Sequence, residues 1–204
     1  MVSPQLIARR ALEGTAQPGH YGRREDGAPQ LVIAERRQVA LAYVVARIGL
    51  TPATAEALGG LTGAQVVDEP RFVSGADVSV LGCAPGQWMV FANSEAARAI
   101  LASLPDSLAA CATATDQTGA KVMVTIAGPR AADVLAKGCQ VDLHDAAFPA
   151  GTAATTQIDQ MVCQLWRIDD APTYGLLVNR SLAQSLWSWL ATSAAEYGYE
   201  VAAP

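Results

Sequence analysis

Residues 119–144, GAKVMVTIAGPRAADVLAKGCQVDLH, decide the fold. Val122, Val124 and Ile126 alternate with Met123, Thr125 and Ala127, the period of a strand buried on at least one face. Gly128-Pro129 stops that strand, and the fixed φ of Pro129 suits the first position of a helix. The spacing of Ala131, Val134 and Leu135 gives the helix Pro129–Lys137 its apolar stripe. Asp133 falls in its first turns, Lys137 in its last, and Gly138 reads as its left-handed C-terminal cap. Strand, tight turn and short helix make half of a split β-α-β unit.

Working outward, the same pattern recurs. Towards the C-terminus, strands over Thr152–Ile158, Met161–Ile168 and Thr173–Val178 lead to a helix for which Ser181 and Gln184 form a capping box. Leu182, Leu186, Trp189, Leu190 and Ala194 share one stripe of that helix with Trp187 beside them, and Tyr199–Ala202 closes as an edge strand. Towards the N-terminus, strands are expected over Leu31–Ile33 and Val39–Ile48. A helix capped by Thr51 begins at Pro52 and is ended by Gly59-Gly60. Asp77–Leu81 and Gln87–Phe91 form a hairpin around Cys83–Gly86. Ser94 caps a further helix that stops before Pro105, and Ala109–Thr115 returns as a strand.

Two consecutive split β-α-β units indicate an α+β protein of two fused ferredoxin-like halves. Their expected bounds are 31–117 and 118–204, one compact domain overall, preceded by an N-terminal helix (Pro4–Gly14) and a flexible basic arm over residues 1–30.

Composition narrows the function. Hydrophobic residues reach 51% and charged residues only 16%, against roughly 25% charged in an average soluble domain. The densest apolar run, Leu41–Ala46, is interrupted by Arg47 and falls short of the ~18–20 residues of a membrane span. So little charge points to outer surface buried against other subunits. The net charge of −5 is unevenly spread, because residues 1–50 carry seven Arg against four acids. Three Arg pairs lie there: Arg9-Arg10, Arg23-Arg24 and Arg36-Arg37. No aromatic residues interleave them, so an arm reaching across a partner subunit is the better reading than nucleic acid. Without a signal peptide the chain is expected in the cytoplasm, with Cys83, Cys111, Cys139 and Cys163 reduced and widely spaced, and no zinc site.

A search for catalytic constellations returns none. His144 in Asp142-Leu143-His144-Asp145 has the flanking carboxylates of an acid–base residue, but its place between a helix end and a Pro-Gly loop reads as local turn chemistry. Asp169-Asp170 reads as a hairpin tip. Gly59–Gly63 ends a helix where a phosphate loop would start one, and no G-x-S-x-G elbow occurs. Trp88, Trp166, Trp187 and Trp189 read as core or interface anchors rather than ligand platforms.

Several motifs together carry a family resemblance. They are Ala84-Pro85-Gly86-Gln87-Trp88, Asp116–Gly119, Gly128-Pro129-Arg130, Leu135–Cys139, Val141-Asp142-Leu143-His144 and Ala147-Phe148-Pro149-Ala150-Gly151. Val178–Ser181, Leu186-Trp187-Ser188-Trp189-Leu190 and Glu196–Tyr199 complete the set. The chain resembles the gamma subunit of heterotetrameric sarcosine oxidase, closely over residues 80–201 and loosely over 1–79. That family is itself similar to the folate-binding domain of the glycine cleavage T protein and other aminomethyltransferases.

The resemblance implies an aminomethyltransferase-like fold in a structural subunit that binds no cofactor, beside alpha, beta and delta subunits. FAD, FMN, NAD, tetrahydrofolate and zinc are implied on those other chains. It also implies a framework role for Trp88, Gly128, Pro129, Arg130, Leu135, Gly138, Asp142, Leu143, His144, Phe148, Gly151, Ser181, Trp187 and Leu190. The T-protein fold uses an Asp in a Gly-rich stretch to hold folate; the corresponding Val80–Phe91 here has no acid. The expected function is therefore a non-catalytic subunit of a complex that oxidatively demethylates sarcosine or a similar N-methyl amino acid. A free-standing folate-binding aminomethyltransferase-like protein is the rival; it requires a carboxylate from Asp77, Asp116 or Asp142 in a concave pocket. A stand-alone interaction module is a third reading.

Overall fold

The alternation that opens the sequence argument forms the middle of the larger of two sheets. The computed structural model of the chain describes residues 9–23, 29–37 and 39–202. In chain order its elements are β1 (Gly19–Tyr21), β2 (Val32–Arg36), β3 (Leu41–Ala46), α1 (Thr51–Thr62), β4 (Phe72–Ser74), β5 (Val78–Ala84) and β6 (Gln87–Ala92). Then come α2 (Arg98–Ser107), β7 (Ala112–Asp116), β8 (Lys121–Ala127), α3 (Ala131–Ala136), β9 (Ala153–Ile158), β10 (Met161–Asp169) and β11 (Thr173–Asn179). A 3₁₀ turn (Arg180–Leu182), α4 (Ala183–Ala194) and β12 (Tyr199–Val201) finish the chain.

The first half is a five-stranded sheet in the order β4-β5-β6-β3-β7. Strand β6 lies between β3 and β5 and antiparallel to both, so β3-α1-β5 is a split β-α-β unit. The second half is a seven-stranded sheet, β1-β12-β2-β8-β11-β10-β9, in which β11 likewise separates β8 from β10. The two ferredoxin-like halves are thus present, with one alteration. Strand β2 pairs antiparallel with β8 and parallel with β12, taking the place beside β8 and moving the last strand one position outward.

Layering follows from the side-chain alternation. Val122, Val124 and Ile126 of β8 face α3 and α4 with Leu135, Leu165, Leu176, Leu186 and Leu190. Val44, Val80, Trp88 and Val90 face α1 and α2 with Leu58, Leu101 and Leu104. The inner faces of both sheets meet in a third core made by Leu41, Leu81, Met89, Phe91, Ala153, Trp166 and Leu177. The chain is a helix–sheet–sheet–helix sandwich, and everything between the sheets is shared by the two halves.

The closest approach within that shared core is at Gly175. A Cβ placed there would lie 2.2 Å from Cε2 and Cζ2 of the Trp166 indole. Gly175→Ala is expected to cost about 1–3 kcal/mol by overpacking, read as a lowered urea midpoint; an unchanged midpoint would contradict the packing described.

Several local expectations are corrected. Strand β2, expected in the first half, belongs to the seven-stranded sheet, and β12 is flanked on both sides instead of lying at an edge. Part of Pro4–Gly14 lies outside the described residues; residues 11–15 form a turn, with Thr15 N and Ala16 N donating to Leu12 O. The arm expected over residues 1–30 contains β1, which pairs with β12, while residues 1–8, 24–28 and 38 lie outside the described residues. Helix α1 runs through Gly59-Gly60 to a left-handed cap at Gly63 (φ 70°), and Thr54, not Thr51, bonds the preceding turn, donating to Leu50 O at 2.9 Å.

Strand β4 was not anticipated because three residues carry too little alternation to signal a strand. Pro105 lies inside α2, whose end follows two residues later. Pro129 precedes the start of α3, and Gly138 is not left-handed: a Cβ there would meet Trp189 Cζ2 at 2.6 Å. Ser181 and Gln184 form no capping box, since Gln184 Nε2 donates to Ala11 O at 3.4 Å.

Candidate functional site

Where the two inner faces diverge, they leave a cleft of about 500 Å³. Its walls follow from strand register: Met123 and Thr125 project from β8 on the face opposite Val122 and Val124, and Phe91 projects inward from β6. Phe72 of β4 and Phe91 pack on Trp166, each with ring centroids 5.6 Å away. Ser79 donates to Asn93 Oδ1 at 3.0 Å, and Asn93 Nδ2 donates to Gly75 O at 2.7 Å, so the polar lining is largely self-satisfied. Arg36 and Arg37 stand at one end. The acid in the lining, Glu95, is ion-paired with Arg98 at 2.5 Å.

None of the three carboxylates required by the folate-binding rival lines this cleft. Asp116 sits on a separate depression of about 220 Å³, where the Thr118 hydroxyl and amide hold its carboxyl below the usual range. Asp142 accepts from the His144 amide at 2.9 Å. Asn93 N donates to the backbone oxygen of Asp77. The acid-free stretch Val80–Phe91 is approached by Asp68, whose Oδ1 accepts from Gly86 N at 2.6 Å and so fixes the β5–β6 turn. The residues present do not fit a carboxylate-anchored folate.

The two halves are joined by backbone next to the cleft. Phe72 N donates to Gly151 O at 2.8 Å, Ala153 N to Pro70 O at 2.9 Å, and the Thr155 hydroxyl to Cys83 O at 2.8 Å. Gly151, at φ 80°, also donates to Arg167 O. Arg167 itself is buried. Its guanidinium donates to Asp145 Oδ1 (2.6 Å) and to the carbonyls of Asp169, Phe148 and Asp170 (3.0, 3.2 and 3.3 Å). This clamp fixes the 142–151 loop against the β10–β11 hairpin.

The sequence-singled residues do not converge on one point. Trp88 lies in the α1–α2 core with Nε1 donating to Val67 O. Leu135, Leu143, Phe148, Trp187 and Leu190 are buried in the α3–α4 core. Gly128 (φ 119°) lets the chain pass Gln30, whose carbonyl a Cβ would meet at 2.4 Å. Pro129 is exposed, Arg130 is ion-paired with Asp133 at 2.9 Å and lies over the Tyr197 ring, and Ser181 is exposed in the 3₁₀ turn. His144 Nδ1 accepts from Ala146 N at 3.3 Å, which is turn chemistry. Arg167, Asp145, Phe72 and Trp166 were not singled out as a group. The one available signal was a charged residue inside the apolar run MVCQLWRI.

No cluster of three or more metal-ligating side chains occurs among the described residues, and no described helix is long and apolar enough to cross a membrane. Burial pushes the Cys83 thiol up to about 11 and the Cys163 thiol up to about 12. Both are held neutral in the fold and would ionise sooner when unfolded. Their contribution to stability is complete below the ordinary thiol value and is lost as pH rises towards the folded values. Alkaline titration is therefore expected to lower the melting temperature from about pH 9 upward, with a shallower fall in Cys163→Ala; parallel curves would contradict this.

The GCVT N-terminal domain family matches residues 50–203, from α1 to beyond β12. The chain is 30% identical over 150 residues to the sarcosine oxidase subunit gamma of Corynebacterium sp. (strain P-1), covering 72% of this chain and 71% of that protein. Among solved structures, the heterotetrameric sarcosine oxidase from Corynebacterium sp. U-96, in complex with pyrrole 2-carboxylate, contains a chain that matches with a TM-score of 0.71 and 24% identity. The match covers 87% of this chain and 89% of that one. The glycine cleavage system aminomethyltransferase T from Bartonella henselae matches with a TM-score of 0.59 and 16% identity, over 82% of this chain and 49% of that one. These two likenesses carry the fold alone. The family match and the curated relative carry more: this chain belongs to the GCVT N-terminal domain family and to the sarcosine oxidase gamma subunits.

Proposed function

We propose that the chain is the non-catalytic gamma subunit of a cytoplasmic complex with alpha, beta and delta partners that oxidatively demethylates sarcosine or a similar N-methyl amino acid. The observation that carries this reading is the 30% identity to a sarcosine oxidase gamma subunit across most of both chains. In such a complex the amine would lose a hydride equivalent and a proton to become an imine, the two-electron acceptor being a flavin held by another subunit. The imine would give glycine with formaldehyde on hydrolysis, or with methylene-tetrahydrofolate where tetrahydrofolate takes the carbon. FAD, FMN, NAD, tetrahydrofolate and zinc would be held by the other chains. The framework residues from Trp88 to Leu190 would serve this one by holding its two halves in register for docking.

Omission of this chain from co-expressed alpha, beta and delta subunits tests the reading. The expected result is loss of the assembled complex, with no tetrahydrofolate or flavin bound by the isolated chain in calorimetric titration. Saturable tetrahydrofolate binding by the isolated chain would instead support the free-standing aminomethyltransferase-like alternative.

A further inference from the structure

Two of the three arginine pairs visible in the sequence are far apart along the chain yet converge in the fold. Arg9-Arg10 and Arg36-Arg37 line a second groove of about 630 Å³ together with Lys121 and Arg180. One acid, Glu35, is in the lining. Its Oε2 serves both Arg10 (3.3 Å) and Arg37 (3.4 Å), orienting two guanidinium groups while neutralising one charge. The other contacts leave charge uncompensated: Lys121 Nζ donates to the neutral Asn179 Oδ1 at 2.7 Å, and Arg180 to the Arg9 carbonyl. The exposed side chains of Arg9 and Arg36 enter no hydrogen bond or ion pair among the described residues. Among the described residues, six cations against one carboxylate give the groove a formal +5 in a chain of net −5, so the rest of the sequence sums to −10. This is a concentrated positive field on an otherwise acidic body.

The floor separates the classes of anion. Val39, Leu41, Val122 and Met123 make it apolar, and among the described residues no aromatic ring is in the lining on which bases could stack. A small inorganic anion would leave that apolar floor uncovered. An apolar floor lined with cations matches an extended peptide with carboxylates and aliphatic side chains interspersed.

We propose that this groove is the docking site for an acidic, aliphatic-bearing segment of a larger partner subunit. The proposal rests on the assembly reading above for the identity of the partner, but its chemistry belongs to this chain alone. The test is fluorescence anisotropy on the full chain, with a labelled peptide of glutamates interspersed with leucines. The comparison ligands are its glutamine counterpart, tripolyphosphate and an oligothymidine of equal charge. Arg9→Glu/Arg36→Glu is expected to weaken the glutamate peptide by at least about tenfold, with Arg9→Gln/Arg36→Gln between it and the parent. Binding is expected to weaken as salt rises from about 50 to about 200 mM.

The side chains of Arg9 and Arg36 hold no intramolecular partner among the described residues, so the melting temperature is expected to stay unchanged and the charge series to report the surface directly. Equal binding of the glutamine peptide, tighter binding of oligothymidine or tripolyphosphate, or undiminished affinity in the charge-reversed variant would each overturn the proposal. Those failures would leave subunit assembly standing. Loss of assembly with intact peptide binding would count against the assembly reading alone.

Discussion

Trp166→Ala is expected to destabilise the chain by about 3–5 kcal/mol, a fall in melting temperature of roughly 8–15 °C for a domain of this size. The indole is fully buried where the two sheets meet, packed on Phe72 and Phe91 and seated over Gly175. No neighbour can fill the volume it vacates without moving a sheet, so the cavity cost adds to the lost burial. Its Nε1 has no hydrogen-bond partner among the described residues. Trp166→Phe therefore loses area but relieves a buried donor, and is expected to cost under about 1.5 kcal/mol. Urea titration separates the two variants, and equal losses would contradict a shared core centred on this side chain. Because that core holds one half against the other, Trp166→Ala is also the substitution that most directly weakens the platform offered to a partner.

Arg167→Ala is expected to cost about 2–4 kcal/mol, for a different reason. Arg167 is buried, while the Asp145 side chain that pairs with it is 83% exposed. The carboxylate is thus well solvated, and in Asp145→Asn the amide Oδ1 can still accept from the buried guanidinium, so the loss is expected to be only about 0.5–1.5 kcal/mol. Truncating the arginine leaves the carbonyls of Phe148, Asp169 and Asp170 without this donor. The buried Phe148 carbonyl costs about 1–3 kcal/mol as an orphan, while those of the exposed Asp169 and Asp170 can turn to water and cost less. A large loss for the arginine variant with a small one for the aspartate variant identifies a carbonyl clamp. Comparable losses would identify an ion pair and contradict the account.

Features encoded over short spans were legible in the sequence. The Val122–Ile126 alternation, the Pro85-Gly86 turn and the α4 stripe each need only neighbouring residues to be read. The two-fold β-α-β rhythm came from the same signals. What escaped was set by distant partners. Strand β2 joins the second sheet by pairing with β8 and with β12 from the other end of the chain, and nothing in VIAER announces that choice. Gly138 was read as a helix cap because Lys-Gly follows an apolar helix, yet its small size is required by the Trp189 ring. The arginine pairs were visible, but their convergence with Lys121 and Arg180 was not. The depth of Arg167 was hidden because β10 is buried on both faces at Leu165–Arg167, where strand alternation no longer distinguishes inside from outside.

Affinity capture of the tagged chain from cells that express it natively tests directly whether it is a subunit of such a complex. The expected result is co-elution with larger subunits, a flavin absorbance spectrum in the eluate, and formaldehyde release on addition of sarcosine or a related N-methyl amino acid. A folded chain recovered at full yield, colourless and alone, would contradict it.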